Sequence, residues 1–170
     1  MTDDTNAAEL RTCALVYPGF GWWIVPLCPT RTPMFEWKHY REYPEEYELD
    51  VDTWLHDGTW ERAHGIGVLT EFSGLLVADI DVPFDDAFGH VSDLTGVDVG
   101  TEDIPHGIVR SRSGKMHIHF ALANGEHPRN VGSAKAREIG VPEVELKHHG
   151  ACVPLPPSRS AGGQYEWAHS

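Results

Sequence analysis

Three cysteines in 170 residues, Cys13, Cys28 and Cys152, are too few and too scattered for a disulfide framework, and no C-x-x-C pair begins a zinc site. They read as free thiols. No apolar run approaches the roughly 20 residues that a bilayer-spanning helix needs, and Met1-Thr2-Asp3-Asp4 lacks the basic start of a signal peptide. The expectation is therefore a cytoplasmic (cytosolic) chain with no membrane partner. Basic side chains are scarce: 13 Lys and Arg stand against 26 Asp and Glu, for a formal net charge of −13. Taken alone, that balance argues against a nucleic-acid partner, whose domains usually carry a basic footprint. Repeats and low-complexity segments are missing too. The length and a hydrophobic content of 41% suit one domain over residues 1–170 with a proper core.

The charges are unevenly placed. Acids crowd Glu36 to Glu61 and Asp93 to Asp103, whereas Arg110, Arg112 and Lys115 fall together, so a local cationic site in an acidic body is expected. The central feature is Gly74-Leu75-Leu76-Val77-Ala78-Asp79-Ile80-Asp81-Val82. In a strand, Leu76, Ala78, Ile80 and Val82 share one face and Leu75, Val77, Asp79 and Asp81 the other. Both faces begin apolar, the pattern of a central strand covered on both sides. Two carboxylates about 7 Å apart on one strand face repel each other unless a cation sits between them. A divalent metal meets that need, and deleting one acid of such a cluster should relieve repulsion at little cost to stability. A strand simply running out into a polar loop is the plainer alternative.

Elsewhere, apolar spacing predicts a helix over Ala7 to Tyr17 capped by Asn6, a strand over Gly21 to Leu27, and a turn from Cys28 to Pro33 in which Arg31 could meet a phosphate but reads first as a solvated loop residue. Met34 to Glu48 shows no clear period. A short helix is expected from Asp50 to Trp54, capped by Asp50 or Asp52, with Trp54 and Trp60 turned inward. His64 to Thr70 reads as a strand whose Gly65-Ile66-Gly67 lacks the rest of a dinucleotide fingerprint. Ala87, Phe88, Val91 and Leu94 recur at helical spacing up to Gly96.

Gly107 to Arg112 and Lys115 to Leu122 read as strands joined by a two-residue loop, Ser113-Gly114. That register sets Arg112 opposite Lys115, Arg110 opposite His117 and Ile108 opposite His119, with Met116, Ile118, Phe120 and Leu122 on the core side. Cations placed across from one another call for an anion. A short helix follows over Ala134 to Ile139, stopped by Gly140. Then comes a strand, Val144 to Lys147, with Val144 and Leu146 inward and Glu143, Glu145 and Lys147 outward. The prolines of Val153 to Ser158 exclude a central strand there. A zinc site from His148, His149 and Cys152 would lack a fourth spaced ligand.

The Asp-x-Asp strand, the Ser113-Gly114-x-x-His117 hairpin and Val144-Glu145-Leu146-Lys147 followed by Pro156-Pro157-Ser158 resemble, in that order, the primase-polymerase (Prim-Pol) domain of the archaeo-eukaryotic primase superfamily. Gly21 to Leu27, Gly65-Ile66-Gly67 and Gly162 to Trp167 extend the resemblance over roughly Ala14 to Trp167. It implies an α+β fold with an RRM-like catalytic sheet, flanking helices and a small N-terminal αβ part, the active site lying in the cleft between them. The activity implied is that of a template-directed DNA primase/polymerase using two divalent metal ions, Mg2+ or Mn2+. Asp79, Asp81 and Glu145 would be the metal-binding catalytic acids and His117 the catalytic histidine that meets the incoming triphosphate. Arg110, Arg112, Ser113, Lys115 and Lys147 would be its nucleotide-binding companions. Implied partners are an NTP or dNTP, a single-stranded DNA template and primer, and a helicase or helical accessory region. This chain departs from the family's usual pattern at Arg31, Lys115 and His119. The same acids and cations also suit a metal-dependent nuclease or phosphohydrolase, and a catalytically silent nucleotide- or DNA-binding module remains a third reading.

Overall fold

A computed structural model describes residues 4–81, 91–95, 107–111, 115–123, 125–140, 143–160 and 163–168. Two antiparallel sheets organise them. The first has strand order β1-β2-β7, built from β1 (Ile24–Leu27), β2 (Gly65–Leu69) and β7 (Cys152–Leu155). Its two proline-bearing strands, β1 with Pro26 and β7 with Pro154, lie at the edges, where a missing N–H costs no ladder bond. The second sheet has the order β6-β3-β5-β4-β9-β8. Its strands are β3 (Leu75–Ile80), β4 (Ile108–Ser111), β5 (Met116–Ala121), β6 (Val144–Lys147), β8 (Arg159–Ser160) and β9 (Gly163–Ala168). The fold is thus α+β, as expected.

Helices α1 (Asp4–Val16), α2 (Glu45–His56) and α3 (Thr59–Arg62) pack on the first sheet. Leu10, Ala14, Tyr47, Trp54 and Trp60 enter one core with Ile24, Leu27, Ile66, Val68, Val153 and Leu155. Trp54 and Trp60 are inward, as expected. Two helix starts are corrected: α1 begins before Asn6, which is buried within it, and α2 begins at Glu45, so that Asp50 and Asp52 lie mid-helix and cap nothing. Glu45, Glu46 and Glu48 crowd the first turn of α2, where carboxylates favour the positive end of the helix dipole.

The two faces of β3 divide as the alternation requires. Leu75 and Val77 join the first core, while Leu76, Ala78 and Ile80 join a second with Met116, Ile118, Phe120, Val144, Leu146 and Val91. Residues 91–95 are helical; the remainder of the helix expected around Ala87 and Phe88, up to Gly96, lies outside the described residues. The short helix after the hairpin is α4 (Ser133–Glu138), and Gly140 beyond it has φ 84°. The glycines of β2 serve packing: a Cβ on Gly67 would lie 2.6 Å from Cys152 Sγ and one on Gly65 2.6 Å from Ser158 Oγ.

Candidate active site

Because β3 lies between β5 and β6, Asp79 has His117 directly across on one side and Glu145 directly across on the other. Residues paired across an antiparallel sheet project to the same face. Acid, acid and imidazole therefore form one row, on the face that carries Leu75 and Val77 into the first core four and two residues earlier. Asp81 follows just past the end of β3, its N–H donating to Glu143 O at 2.9 Å. This much agrees with the sequence.

Cations already fill the spaces between the acids. Lys147 Nζ donates to Asp79 Oδ2 and lies 3.7 Å from Glu145 Oε2, so that one ammonium is shared by two carboxylates. His117 Nε2 is 3.3 Å from Asp79 Oδ1, and Lys115 Nζ is 2.6 Å from Asp81 Oδ1. Burial alone would raise the Asp79 carboxyl. The hydrogen bond and charge of His117, together with those of Lys147, overcome it and hold Asp79 well below the usual carboxylate range. The hydrogen bond to Asp81, helped by its charge, raises the Lys115 ammonium. The repulsion expected between the acids is thereby replaced by attraction, which reverses the expectation that losing Asp79 is free.

The hairpin register is corrected by one residue. Ile108 pairs with Ile118, Val109 with His117 and Arg110 with Met116. A one-residue slip moves every side chain of a strand to the other face, so Arg110 belongs to the face opposite Asp79, across from Glu166 of β9 on its other flank. The cause is that Ile108 and Val109 are both apolar: Ile108 packs on the second core while Val109 is buried beside His117. Arg112, Ser113 and Gly114 lie outside the described residues. Lys115, His117 and Lys147 do join the acids.

Three residues outside the expected site set are brought in. Ser133, the first residue of α4, donates from Oγ to Glu145 Oε1. Tyr165 of β9 sets its ring 5.6 Å from that of His117, and its hydroxyl accepts from Arg31 NH1 at 3.0 Å. Arg31 was read as a solvated loop residue; instead it reaches the site, near enough to Lys115 to oppose its charge. It does so from a backbone φ of 65°, a region that non-glycine residues seldom occupy. The turn that holds it is closed by Cys28 N–H to Thr32 O and Arg31 N–H to Cys28 O, both 2.9 Å. Hydrogen bonds from Thr30 and Thr32 lower the Cys28 thiol to about 7.

A sequence model of the bifunctional DNA primase/polymerase N-terminal domain, Prim-Pol, matches residues 14–170. The chain belongs to the Prim-Pol family. Membership implies primase/polymerase-type nucleotidyl transfer, with nucleotides and DNA as substrates. No curated protein matches the chain. Among the described residues no helix is long and apolar enough to cross a membrane.

The donor chemistry of this Prim-Pol site fits magnesium or manganese. Its acids offer hard oxygen ligands only, and the shared Lys147 ammonium marks the gap between Asp79 and Glu145 as a place where positive charge is stabilised. Among the described residues, no three Asp, Glu, His or Cys side chains form a ready-made cage. The zinc alternative does not assemble: His148 Nδ1 contacts Leu75 O at 2.8 Å, His149 Nδ1 lies 3.1 Å from Glu71, and Cys152 Sγ faces Gly67.

Proposed function

We propose that this domain is a template-directed DNA primase/polymerase that adds nucleotides to a nucleic-acid strand, with Asp79, Asp81 and Glu145 holding two divalent ions, Mg2+ or Mn2+. The observation that carries the reading is the row Glu145–Asp79–His117 with a lysine ammonium between its acids. Metal binding at such a site exchanges one cation for another, the ions taking the place that the Lys147 ammonium holds between the two acids. Bound there, the ions would activate the 3′-hydroxyl and offset the charge of the triphosphate and its leaving group.

The protein's own groups do the rest. Lys115 and Arg31 offer charge to the β- and γ-phosphates, where fixed cations stabilise developing negative charge. The family motif adds Arg112 and Ser113 to the proposed nucleotide-binding residues. His117 is 6% exposed, and its buried Nδ1 has no partner among the described residues. An incoming phosphate oxygen would supply one. Lys147 orients Asp79, and Ser133 orients Glu145. With ions held by those acids, Lys147 would be available as a further phosphate ligand.

Primer extension with labelled nucleotides and magnesium or manganese tests the reading. Extension that follows the template and disappears in Asp79→Asn and Glu145→Gln is the expected result. Release of nucleotides from the primer without added triphosphate would make the same acids those of a nuclease. Triphosphate binding without turnover would leave a nucleotide-binding module.

A further inference from the structure

On the same face of the second sheet, at the opposite end of β3 from the acids, a cavity of about 530 Å³ is lined by Tyr17, Phe20, Trp22, Leu75, Gly107 and Trp167, with Ser73 and Ala121 at its margin. Four of its walls are aromatic and none carries a formal charge. We propose that this slot holds a base of single-stranded DNA, stacked against Trp22 and Phe20, and so gives the domain a grip on its template that owes nothing to phosphate charge.

The rings are fixed in place before any ligand arrives. Trp167 Nε1 donates to Tyr17 Oη at 3.1 Å, and Tyr17 Oη donates in turn to Pro156 O at 2.6 Å. Trp22 lies 5.6 Å from Tyr17, 6.0 Å from Trp167 and 5.8 Å from Phe20, centroid to centroid. Gly107 is what lets Trp167 approach, since a Cβ there would lie 2.2 Å from the indole. A preset aromatic wall loses little freedom when a flat ligand binds. Phe20 nonetheless remains 66% exposed, a large apolar ring standing in solvent at the rim.

Three features select a nucleobase in a strand as the occupant. The uncharged lining matches the face of a base, and stacking is indifferent to which base is offered. The slot is continuous with the candidate active site: Trp22 stacks on His119 at 6.0 Å and 18°, and His119 is 6.4 Å from His117, which holds Asp79. From Leu75 to Asp79 is four residues of strand, about 13 Å, or about four stacked bases at 3.4 Å each. A strand whose end lies at the acids would therefore pass the slot a few nucleotides away. Finally, the 13 basic side chains are outnumbered two to one by 26 acids, and the cluster of Lys115, Lys147 and Arg31 is already assigned to the triphosphate, so the field of the chain disfavours binding DNA by its phosphates. Stacking supplies affinity without them.

The proposal takes its ligand class from the polymerase reading, and the test separates the two. Binding of a labelled oligothymidylate to the full chain is measured by fluorescence anisotropy across a salt series, for the wild type, Phe20→Ala, Trp22→Ala and Trp22→Phe. Phe20→Ala guards against misfolding, because its ring is exposed. The two alanine variants are expected to bind roughly 5- to 150-fold more weakly, with the slope of log affinity against log salt unchanged, since no phosphate contact is lost. Trp22→Phe should recover most of the loss. Unchanged affinity in Phe20→Ala and Trp22→Ala would overturn the proposal, as would a reduced salt slope. An equal loss of nucleoside triphosphate binding would also overturn it, making the slot a pocket for the incoming nucleotide. Absence of incorporation by the wild type would sink the polymerase reading instead, while leaving a DNA-binding loss at Phe20 and Trp22 in force.

Discussion

Around the first sheet side chains lock ring on ring; along the end of β3 they lock ion on ion. Trp23 stacks on Tyr47 at 4.1 Å and on Phe72 at 4.9 Å, and Tyr47 Oη is tied to the Ile24 backbone. Four residues beyond Leu75 on the same strand face, Asp79 is held by Lys147 and His117. Ring packing depends on shape and has no substitute at hand, whereas an ion pair can trade one cation for another. The contrast places durable structure and exchangeable charge on successive residues of one strand.

Asp79→Asn should break the charged half most severely. Several kcal/mol of metal-dependent stabilisation, at about 1.4 kcal/mol per decade, makes the expected loss of incorporation on the order of 10³-fold in single-turnover primer extension. It should also cost about 1–3 kcal/mol of stability, because Lys147 and His117 are left facing each other without their acid. Asp81→Asn, at a half-exposed side chain, should lose comparable activity with little change in urea midpoint.

Trp60→Ala inverts that pattern. Its ring is 1% exposed in the first core and touches no charged site residue, so about 3–5 kcal/mol of stability should go while incorporation per folded molecule persists. Urea denaturation combined with titration of active molecules checks both halves. A drop in activity among folded molecules would mean that the aromatic core transmits to the acids.

Glu71→Gln should have a smaller, pH-dependent effect. Burial tends to raise the Glu71 carboxyl. Hydrogen bonds from Arg41 and the Gly150 N–H, with the charges of Arg41 and His149, outweigh it and hold the group below its usual value. A carboxyl depressed by folding contributes stability above its unfolded pKa, near 4.3, and loses that contribution as pH falls through the folded value. Wild type and variant should therefore differ by about 1 kcal/mol at pH 7, with the difference shrinking once the pH falls below the unfolded value and vanishing below the folded one. A constant difference between pH 3 and 7 would show that Glu71 acts through shape alone.

The parts of this fold that could be read in advance were those with an unambiguous period. The alternation of β3 and β6 gave the two faces of each strand, whereas the meeting of Asp79, Glu145 and Lys147 was implied only by the family resemblance. Only the second half of α2, from Asp50, is legible, although Tyr47 recurs at helical spacing with Val51, Trp54 and Leu55, because the acids between them obscure the start. Arg31 and Tyr165 fall in segments that carry the family resemblance but could not be assigned to the site, and Ser133 could not be read at all: each reaches the site through tertiary packing, from a turn, a strand and a helix start distant in sequence. The β4 register was ambiguous for a physical reason, since two adjacent apolar residues fit either face.

That register yields the smallest effect and the sharpest contrast between the faces of one sheet. Arg110 is exposed, pairs with Met116 rather than His117, and stands across from Glu166. An opposite-charge pair across an exposed sheet contributes roughly 0.2–1 kcal/mol, so Arg110→Ala should lower stability by no more than that and leave triphosphate affinity within experimental error. Lys115→Ala, five residues on, removes a cation from the face of the acids. It should weaken triphosphate binding about tenfold, the equivalent of one charge-assisted contact of roughly 1.5 kcal/mol. Titrating both variants with a labelled nucleotide analogue measures the difference directly. Equal losses would return Arg110 to the nucleotide face and require the hairpin to pair in its alternative register when substrate is bound.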